Sequence, residues 1–290
     1  MSVLPVAIVG MGTVGTGVAR VLVEQPDRML QRTGRKIELR KAVVRDLSKS
    51  RDLQLPPGLL TDDLQQVLQD PEIKVGIQLV GGISPAREIL LALLDAGKDV
   101  VTANKALLCA HGTELFARAR ELGRTITFEA AVAGGIPIIA VVSQCMTANQ
   151  ITSISAILNG TSNFILTQMI QKGQSYAEAL KRAQELGFAE ADPTMDVDGS
   201  DAAQKLSLLG ELAYGTKVPF EKLPRMGIDT LDLADIKYAY ELGYTIKLLA
   251  VSRLVNGKVE SHVSPTLVRE DTPLAQVNGP FNAIALQGDV

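Results

Sequence analysis

The stretch from Glu190 to Lys205 combines acids and a lysine at a spacing that could bind an amine or a hydroxyl group and move its proton. Five carboxylates fall within twelve residues, at positions 190, 192, 196, 198 and 201. Ser200 is a good N-cap, so we expect a helix to begin there. Asp201 would then lie in its first turn, with Lys205 one turn later on the same face.

The alternative interpretation of this acid and lysine is a surface ion pair, which contributes only about 0.3–0.5 kcal/mol. A functional role is favoured because helical spacing places Lys205 on the same face as Leu208, Leu209 and Leu212. A lysine in line with leucines is expected to face the core or a pocket. For the acids between Asp192 and Asp198, capping of a loop around Pro193 stays an open alternative.

A glycine-rich loop near the N-terminus could hold the pyrophosphate of a dinucleotide. The apolar run PVAIVG leads into GMGTVG, which opens a helix predicted over Thr13–Glu24. In this pattern the first glycine makes a tight turn, the second admits the phosphates and the third permits close helix packing. We therefore expect cofactor contacts from Gly10, Gly12, Thr13, Val14 and Gly15.

The end of the second strand bears on the choice of nicotinamide cofactor. It reads Val43-Val44-Arg45-Asp46, where NAD enzymes usually carry an acid for the ribose hydroxyls. A guanidinium suits a 2′-phosphate, so Arg45 favours NADP(H) over NAD(H). Two alternatives stay open, namely that Arg45 is a solvated loop charge and that Asp46 binds the ribose of NAD.

Two further motifs follow later strands, at the edge where open α/β sheets bind ligands. Gly81 and Gly82 follow the third apolar strand, and Asn104 and Lys105 end the motif TANK after the strand DVVTA. Lys105 is thereby placed where a nicotinamide meets its substrate. A solvated loop lysine is the alternative, but we expect cofactor contacts from all four residues.

The elements that must position these groups change character along the chain. Residues 1–130 alternate short apolar runs with amphipathic segments, which predicts an α/β domain with a Rossmann-type doubly wound parallel sheet that binds NAD(P). After Gly134-Gly135 the runs ITSISAILNGT, TIKLLAVSRLV and KVESHVSPTLV indicate strands with helices between them. Residues 131–290 are therefore predicted to form a separate α+β substrate domain.

The composition argues against several classes of function. With no Trp, 4% aromatic residues and a net charge of −3, the chain offers few stacking platforms and no broad basic surface for nucleic acid. Cys109 and Cys145 have neither disulfide-framework nor zinc-site spacing, so a cytoplasmic location is expected. The most apolar later run, AAVAGGIPIIAVV, is short and broken by Pro137, so no membrane span is expected.

The residues available for acid-base work point to lysine. Hydride reduction of an aldehyde leaves an alkoxide that must gain a proton. The chain has only two histidines, His111 and His262, and neither is beside a site motif. A lysine pKa near 10.4 must fall through burial or a second nearby cation, which two lysines in one pocket would provide. Alcohol oxidation is then expected to run best at alkaline pH.

Six motifs, taken together, resemble the homoserine dehydrogenase family. They occur in order over nearly the whole chain: GMGTVG, VTANKALL, FEAAVAGGIPII, LNGTSNFIL, GFAEADPTMDVDGSDAAQKL and HVSPTLVREDTPLAQVNGPFNAI. The resemblance implies reversible NAD(P)-dependent hydride transfer between L-homoserine and L-aspartate 4-semialdehyde, a step shared by threonine, isoleucine and methionine synthesis. It also implies a homodimer formed through the sheet of the second domain.

The resemblance further implies roles for individual residues by their place in the motifs. Lys105 and Lys205 would act at the reacting hydroxyl, with Lys205 the stronger candidate for proton transfer. Glu190 would face the amino group of the substrate. The other implied substrate contacts are Asn159, Gly160, Thr161, Asp196 and Asp201.

A monovalent-cation loop is also implied by the resemblance. The segment EAAVAGG is similar to that loop, which would hold sodium through Glu129 and the carbonyls of Val132, Gly134 and Ile136. The alternative for Glu129 is a structural acid at the end of a strand.

Two departures from the family pattern limit these expectations. Gln78 stands where the family commonly has an acid before the Gly-Gly pair. The chain stops at Gly288-Asp289-Val290, where family members continue with a segment that returns to the cofactor domain. Turnover by these 290 residues alone is therefore an open question, and no feedback inhibition by threonine through a regulatory domain is expected.

Two other functions stay open at this point. One is another NAD(P)-dependent dehydrogenase acting on a small aldehyde or amino acid. The other is a non-catalytic nucleotide-binding relative, which would bind cofactor without turnover.

Overall fold

The computed structural model describes residues 2–290, which form two compact units. The first unit ends at Ala131, and the second covers Val132–Val290. The first is built on a parallel sheet and the second on an antiparallel sheet. The predicted fold class, a Rossmann-type α/β sheet followed by an α+β unit, is confirmed.

The parallel sheet of the first unit has six strands: β1 (Val3–Val9), β2 (Lys36–Val43), β3 (Leu60–Thr61), β4 (Val75–Gln78), β5 (Asp99–Thr102) and β6 (Ile126–Thr127). Their order across the sheet is β3-β2-β1-β4-β5-β6. The direction of winding reverses between β1 and β4. Open α/β sheets bind ligands at this switch point, outside the carboxyl ends of the strands.

Five helices accompany this sheet: α1 (Thr13–Glu24), α2 (Pro26–Thr33), α3 (Gln65–Leu68), α4 (Ala86–Asp95) and α5 (Lys105–Glu121). The bounds of α1 match the prediction. Residues 5–9 of β1 are all buried, as expected for a central parallel strand. Ile8 packs in one core cluster with Ala19 of α1 and Leu39 of β2.

The sheet of the second unit has four antiparallel strands: β7 (Ile151–Ile157), β8 (Tyr244–Val255), β9 (Lys258–Arg269) and β10 (Ala283–Gly288). Their order is β10-β7-β8-β9. The hairpin of β8 and β9 turns at Asn256-Gly257, where φ is 51° and 74°. Positive φ at both turn residues is typical of a two-residue type I′ hairpin, which fixes the register of the two strands.

Six helices belong to the second unit: α6 (Ile138–Ala140), α7 (Gly160–Lys172), α8 (Tyr176–Glu185), α9 (Thr194–Val197), α10 (Ser200–Tyr214) and α11 (Leu233–Glu241). α7, α10 and α11 all contact β8. Residues 246–252 of β8 are buried without a break. Burial on both faces arises because Leu249 and Val251 pack against Ala275, which lies in the segment after β9.

Each unit also buries one lysine completely. Lys98 is 1% exposed and Lys247, on β8, is 0% exposed. Burial lowers the pKa of Lys98, and it lowers the pKa of Lys247 to about 8. Both amines donate hydrogen bonds to backbone carbonyls, which compensate part of the lost hydration.

The lowered pKa of Lys247 predicts a pH-dependent stability. Between pH 8 and 10.5 the unfolded chain binds more protons at this lysine than the folded chain does, so its contribution to the free energy of unfolding rises with pH. Wild type should therefore gain stability relative to Lys247→Met across this window, by on the order of 3 kcal/mol. Urea denaturation at several pH values measures the difference, and a constant difference would contradict the prediction.

Candidate functional site

Helix α10 brings Asp201 and Lys205 together, as their spacing predicted. Lys205 Nζ donates to Asp201 Oδ2 and to the backbone oxygen of Leu158, each at 2.7 Å. The two side chains are only 16% and 10% exposed. Because water screens a partly buried pair less than a surface pair, the Coulomb attraction within this pair is stronger than in the surface alternative, although both charges also lose hydration. The amine is fixed just beyond the carboxyl end of β7.

Asn159 joins this pair to a second carboxylate. Its Nδ2 donates to Asp196 Oδ1 at 2.8 Å and to Asp201 Oδ2 at 2.9 Å. Its Oδ1 accepts from the backbone N–H of Ser162 at 2.7 Å, which caps α7. Two carboxylates and one ammonium leave one excess negative charge, so the cluster suits a cationic ligand.

The start of α10 differs from the prediction by one residue. The N-cap is Gly199, at φ 84°, and Ser200 is the first helical residue. Asp198 explains the shift, because its Oδ1 accepts from Ser200 N at 2.7 Å and its Oδ2 accepts from Ser200 Oγ at 2.9 Å. The acid takes the capping role that the sequence suggested for the serine.

Loop capping also accounts for Asp192. Its Oδ1 accepts from the hydroxyl of Thr194 at 2.6 Å and from the backbone N–H at 3.1 Å, and these bonds lower the pKa of Asp192. Asp196 differs from both neighbours because its side chain bonds to Asn159. Of the three acids in this stretch, Asp196 is the one that the structure joins to the lysine cluster.

The other predicted substrate residues lie around the N-terminus of α7. Gly160 is its first residue, and Thr161 Oγ1 donates to the backbone oxygen of Phe188 at 2.7 Å. That bond ties the helix to the loop that carries Glu190. The Glu190 side chain is exposed, while its backbone oxygen accepts from Gln184 Nε2 at 3.2 Å.

The glycine-rich loop of the first unit has the geometry that its pattern predicts. Gly10 has φ 98°, and a Cβ there would lie 2.9 Å from the backbone N of Val80. A Cβ at Gly15 would lie 2.1 Å from Gly10 O. Gly12, the N-cap of α1, has nothing within 4 Å of the same position. The fold itself therefore needs Gly10 and Gly15, whereas the space at Gly12 is open to an anion at a helix N-terminus.

The first two residues of α1, Thr13 and Val14, are exposed beside this opening. Their backbone N–H groups belong to the first turn of the helix, which has no intrahelical acceptors. Such groups can donate to a bound phosphate, so both positions fit the expected cofactor contacts.

A cleft of about 990 Å³ lies at the switch point of the parallel sheet. Its lining includes Gly12, Gly81 and three cations from the segment after β2, namely Arg45, Lys49 and Arg51. A cleft lined by several cations favours a phosphate-bearing ligand.

Asp46 also lines the cleft, but its carboxylate is engaged with its own loop. Its Oδ1 accepts from the hydroxyl of Ser48 at 2.6 Å and from the backbone N–H at 2.8 Å, and these bonds lower the pKa of Asp46. Arg51 holds the same loop by donating to the backbone oxygen of Asp46 at 3.0 Å. One carboxylate oxygen of Asp46, the acid that could bind a ribose, therefore already accepts two hydrogen bonds within its own loop.

Gln78 links the ends of β4 and β5. It is fully buried, its Oε1 accepts from Thr102 Oγ1 at 2.7 Å and its Nε2 donates to Val80 O at 2.8 Å. Asn104 continues the link by donating to Val80 O at 3.0 Å and to Gly82 O at 2.6 Å. A neutral amide can donate and accept at once, so the residue that departs from the family pattern has a structural role here.

Asn104 also positions Lys105. Its Oδ1 accepts from the backbone N–H of Leu107 at 3.0 Å and caps α5, whose first residue is Lys105. The lysine therefore leaves the sheet at the carboxyl end of β5, as its place in the sequence predicted. It belongs to the first unit, whereas Lys205 belongs to the second.

The predicted cation loop falls where the two units meet along the chain. Glu129 lies in a short 3₁₀ helix of the first unit, and the other three positions belong to the second. The chain reverses through Ala133 at φ 47° and Gly135 at φ 95°. The backbone oxygen of Ile136 accepts from Ile138 N at 2.8 Å, which leaves one lone pair for a cation.

Two contributors to the site were missed by sequence reasoning. The Leu158 carbonyl is a backbone group, so no residue type could have signalled it. Ser162 donates through its hydroxyl to the backbone oxygen of Asp196 at 2.6 Å, as well as through its N–H to Asn159. The Asn-x-x-Ser spacing at the start of a helix was the available signal, since Asn is a preferred N-cap.

Family comparisons agree with this geometry on both units. The model described as "Homoserine dehydrogenase" matches residues 137–290, and the one described as "Homoserine dehydrogenase, NAD binding domain" matches residues 10–129. The homoserine dehydrogenase of Bacillus subtilis (strain 168) is 41% identical over 289 residues, covering 100% of this chain and 67% of that protein. The chain belongs to the homoserine dehydrogenase family. Members of this family are NAD(P)-dependent oxidoreductases that act on an alcohol group.

Solved homoserine dehydrogenases share the fold. The enzyme of Thiobacillus denitrificans is 46% identical with a TM-score of 0.94, and the match covers 100% of this chain and 67% of that one. A hyperthermophilic archaeal homoserine dehydrogenase in complex with NADPH is 26% identical with a TM-score of 0.79, covering 99% and 88%. This chain spans about two thirds of the length of the Bacillus subtilis and Thiobacillus denitrificans proteins.

Within residues 2–290, no helix is both long and apolar enough to cross a membrane. In the same range, no group of three or more His, Cys, Asp or Glu side chains could hold a metal ion.

Gly12→Ala should separate cofactor binding from folding. A Cβ at this position meets nothing in the free protein and φ is −78°, so stability should change by less than about 1 kcal/mol. Affinity for NADPH should fall at least about ten-fold, because the methyl group occupies the space that a pyrophosphate needs. Fluorescence titration with NADPH measures the affinity. Gly17→Ala, also in open space on α1, is the matched control, and equal affinity in both variants would contradict this placement of the phosphates.

Proposed function

We propose that the protein catalyses the reversible NAD(P)-dependent interconversion of L-homoserine and L-aspartate 4-semialdehyde. The observation that carries the proposal is the Lys205 amine, fixed at 2.7 Å from both Asp201 and the Leu158 carbonyl in a chain of the homoserine dehydrogenase family. The cluster around it offers both a proton acceptor and a net negative charge. These match a substrate that carries a hydroxyl to be oxidised and an ammonium group to be bound.

Lys205 has one hydrogen-bonding direction left for the substrate. A protonated amine has three N–H donors, and Leu158 O and Asp201 Oδ2 take two of them. The third can meet the oxygen at the reacting carbon. In the oxidation, neutral Lys205 takes the hydroxyl proton as hydride leaves that carbon; in the reduction, its ammonium form protonates the developing alkoxide. A bound nicotinamide would supply the hydride acceptor for the oxidation and the hydride donor for the reduction.

Lys105 is proposed as the second lysine of the reaction. The support is its position as the first residue of α5, at the ligand-binding edge of the parallel sheet, and the likeness of its TANK motif to the family. Its capping residue Asn104 is anchored on two backbone oxygens after β4. We therefore assign Asn104 and Lys105, with Gly81 and Gly82, to the cofactor side of the site.

The ammonium group of homoserine is proposed to bind to carboxylates of the second unit. Asp196 and Asp201 share the Nδ2 group of Asn159, and Glu190 presents an exposed carboxylate on the loop after α8. Gly160 and Thr161 supply backbone groups at the N-terminus of α7, where a carboxylate is favoured. This assignment separates the two charged ends of the amino acid between acids and a helix N-terminus.

NADP(H) is proposed as the preferred cofactor, with NAD(H) as the weaker alternative. The support is Arg45 with Lys49 and Arg51 in the cleft, together with the engagement of Asp46 by Ser48. A guanidinium favours a 2′-phosphate through charge-assisted hydrogen bonds, and an acid at this place would repel it.

A sodium ion is proposed at the segment from Glu129 to Ile136. Three backbone carbonyls, those of Val132, Gly134 and Ile136, together with the carboxylate of Glu129 form an all-oxygen ligand set, which hard cations prefer. Activity with and without sodium in the buffer tests this proposal. No step of the reaction depends on it.

A homodimer is proposed through the second sheet. On the face that carries Leu249 and Val251, the neighbouring positions Ser153, Ser155 and His262 are at least partly exposed. The small side chains of the two serines would allow close packing of this face against a second copy, and sedimentation velocity measures the oligomeric state. Cys109 and Cys145 are not joined in a disulfide, which fits the reducing cytoplasm, and we propose that location for the protein.

Oxidation of L-homoserine by the purified protein at alkaline pH tests the proposed reaction. Reduced nicotinamide should form with NADP and, more slowly, with NAD. Lys205→Ala should lower kcat by at least about 100-fold, since general acid-base catalysis contributes about 10²- to 10⁴-fold. Its affinity for NADPH should stay within about two-fold, because the lysine acts on the substrate.

The matched control for this variant is Lys237→Ala. Lys237 also forms an i,i+4 pair on a helix, with Glu241 at 3.8 Å, but the two side chains are 72% and 56% exposed. Its loss should leave kcat unchanged. Cofactor binding without turnover in wild type would identify a non-catalytic relative, and turnover only of other alcohols would identify a different dehydrogenase.

The cofactor preference is tested by Arg45→Ala. Loss of one charge-assisted contact to the 2′-phosphate should raise KM for NADP by about ten-fold or more and leave KM for NAD within about two-fold. Steady-state kinetics with both cofactors at saturating homoserine give the two ratios. An equal increase in KM for both cofactors would show that Arg45 does not bind the 2′-phosphate.

A further inference from the structure

Lys247 is a buried cation that the proposed reaction does not use. Its side chain is 0% exposed, and Nζ donates to Val277 O at 2.6 Å, to Asn278 Oδ1 at 3.1 Å and to Asn163 Oδ1 at 3.4 Å. Burial lowers its pKa to about 8. A buried amine is costly unless its hydrogens are bonded, so the three oxygens indicate a built arrangement.

Asn163 completes that arrangement from α7. It is 1% exposed, and its Nδ2 donates to the backbone oxygens of Val277, Gly279 and Phe281 at 3.0, 2.9 and 3.2 Å. The backbone N–H of Gly279 in turn donates to Thr167 Oγ1 at 2.9 Å. Buried polar groups from α7 and β8 thus converge on one irregular stretch, residues 277–281, which we call the 277–281 segment.

The 277–281 segment touches the substrate-binding end of α7. The backbone oxygen of Pro280 lies so close to Gly160 that a Cβ there would stand 2.7 Å away. Gly160 directly follows Asn159, whose side chain holds Asp196 and Asp201. A shift of the segment would therefore change the wall beside the residues proposed to bind the substrate.

We propose that Lys247 and Asn163 are positioning residues, which clamp the 277–281 segment against the N-terminus of α7 and so set the geometry of the homoserine site. The proposal rests on the proposed function for its kinetic consequence, but the clamp itself is a structural claim. A purely stabilising role is the competing explanation. It would change how much protein is folded without changing how the folded protein binds homoserine.

Lys247→Met tests the clamp with Lys98→Met as the matched control. Lys98 is 1% exposed, and its Nζ donates to Asp70 O at 2.8 Å and Ile73 O at 3.0 Å in the first unit. Both changes remove a buried amine and keep the apolar stem. At pH 7.5, Lys247→Met should raise KM for homoserine about ten-fold, because a displacement of about 1 Å can cost on the order of 100-fold. KM for NADP should stay within about two-fold, and Lys98→Met should change neither.

Asn278→Ala provides a milder second variant. It removes one acceptor of Lys247 at a partly buried position, so the protein should fold and show the same change in KM at smaller size. Hydrogen exchange followed by mass spectrometry should show faster exchange in the 277–281 segment for both variants, with no such change in Lys98→Met.

The outcomes separate the two proposals. An unchanged KM for homoserine in folded Lys247→Met and Asn278→Ala would overturn the positioning role, as would an equal change in Lys98→Met. If wild type binds NADPH but turns over no homoserine, the proposed function fails. In that case hydrogen exchange still decides the clamp, since unaltered protection of the segment in both variants would overturn it.

Discussion

The side-chain amide of Asn159 is the interaction on which the site in the second unit depends. Through one oxygen it caps α7, and through one nitrogen it holds two carboxylates from different helices. Asp201 and Asp196 would repel each other at this separation without a donor between them and a lysine beside them. Asn159 is thus both the N-cap of α7 and the hydrogen-bond donor that holds the two acids together. The position of β7 determines where Asn159 lies, because this residue follows the end of the strand by two residues.

The first unit meets a different constraint, the close approach of backbone to backbone. Gly10 and Gly15 have no room for a side chain, while Gly12 has room that the protein does not use. The proposed binding site for a dinucleotide is therefore the space left beside a turn whose other glycines are fixed by packing. The side-chain amides of Gln78, which is buried, and Asn104, which is partly buried, then order the neighbouring strand ends, so this edge of the sheet is positioned mainly by neutral hydrogen bonds.

Sequence reasoning succeeded where the determining contacts are local. The helix over Thr13–Glu24 follows from its glycine-rich start, and the pairing of Asp201 with Lys205 follows from helical spacing. The cap of α10 was misassigned because Asp198 and Ser200 are both good capping residues. Gly199 at positive φ between them decides the outcome.

Non-local contacts could not be predicted in the same way. The pattern of β8 gives no reason to expect a fully buried lysine in the middle of a strand, since Lys247 is covered by residues that follow the end of β9. Strand β10 likewise depends on pairing with β7, far earlier in the chain. Helix α11 has a capping box formed by Asp232 and Asp235, but its apolar residues give no clear helical periodicity, because Leu233, Tyr238 and Tyr240 are exposed.

The hydrogen bond from Lys205 to the main chain of Leu158 affects which substitutions position 158 can accept during evolution. A side-chain acceptor disappears when its residue is replaced, but a carbonyl is supplied by every amino acid. The anchor of the lysine therefore places no demand on the chemical identity of position 158, only on the path of the chain after β7. Apolar packing alone, at a position with no exposed surface, limits which side chains can stand there.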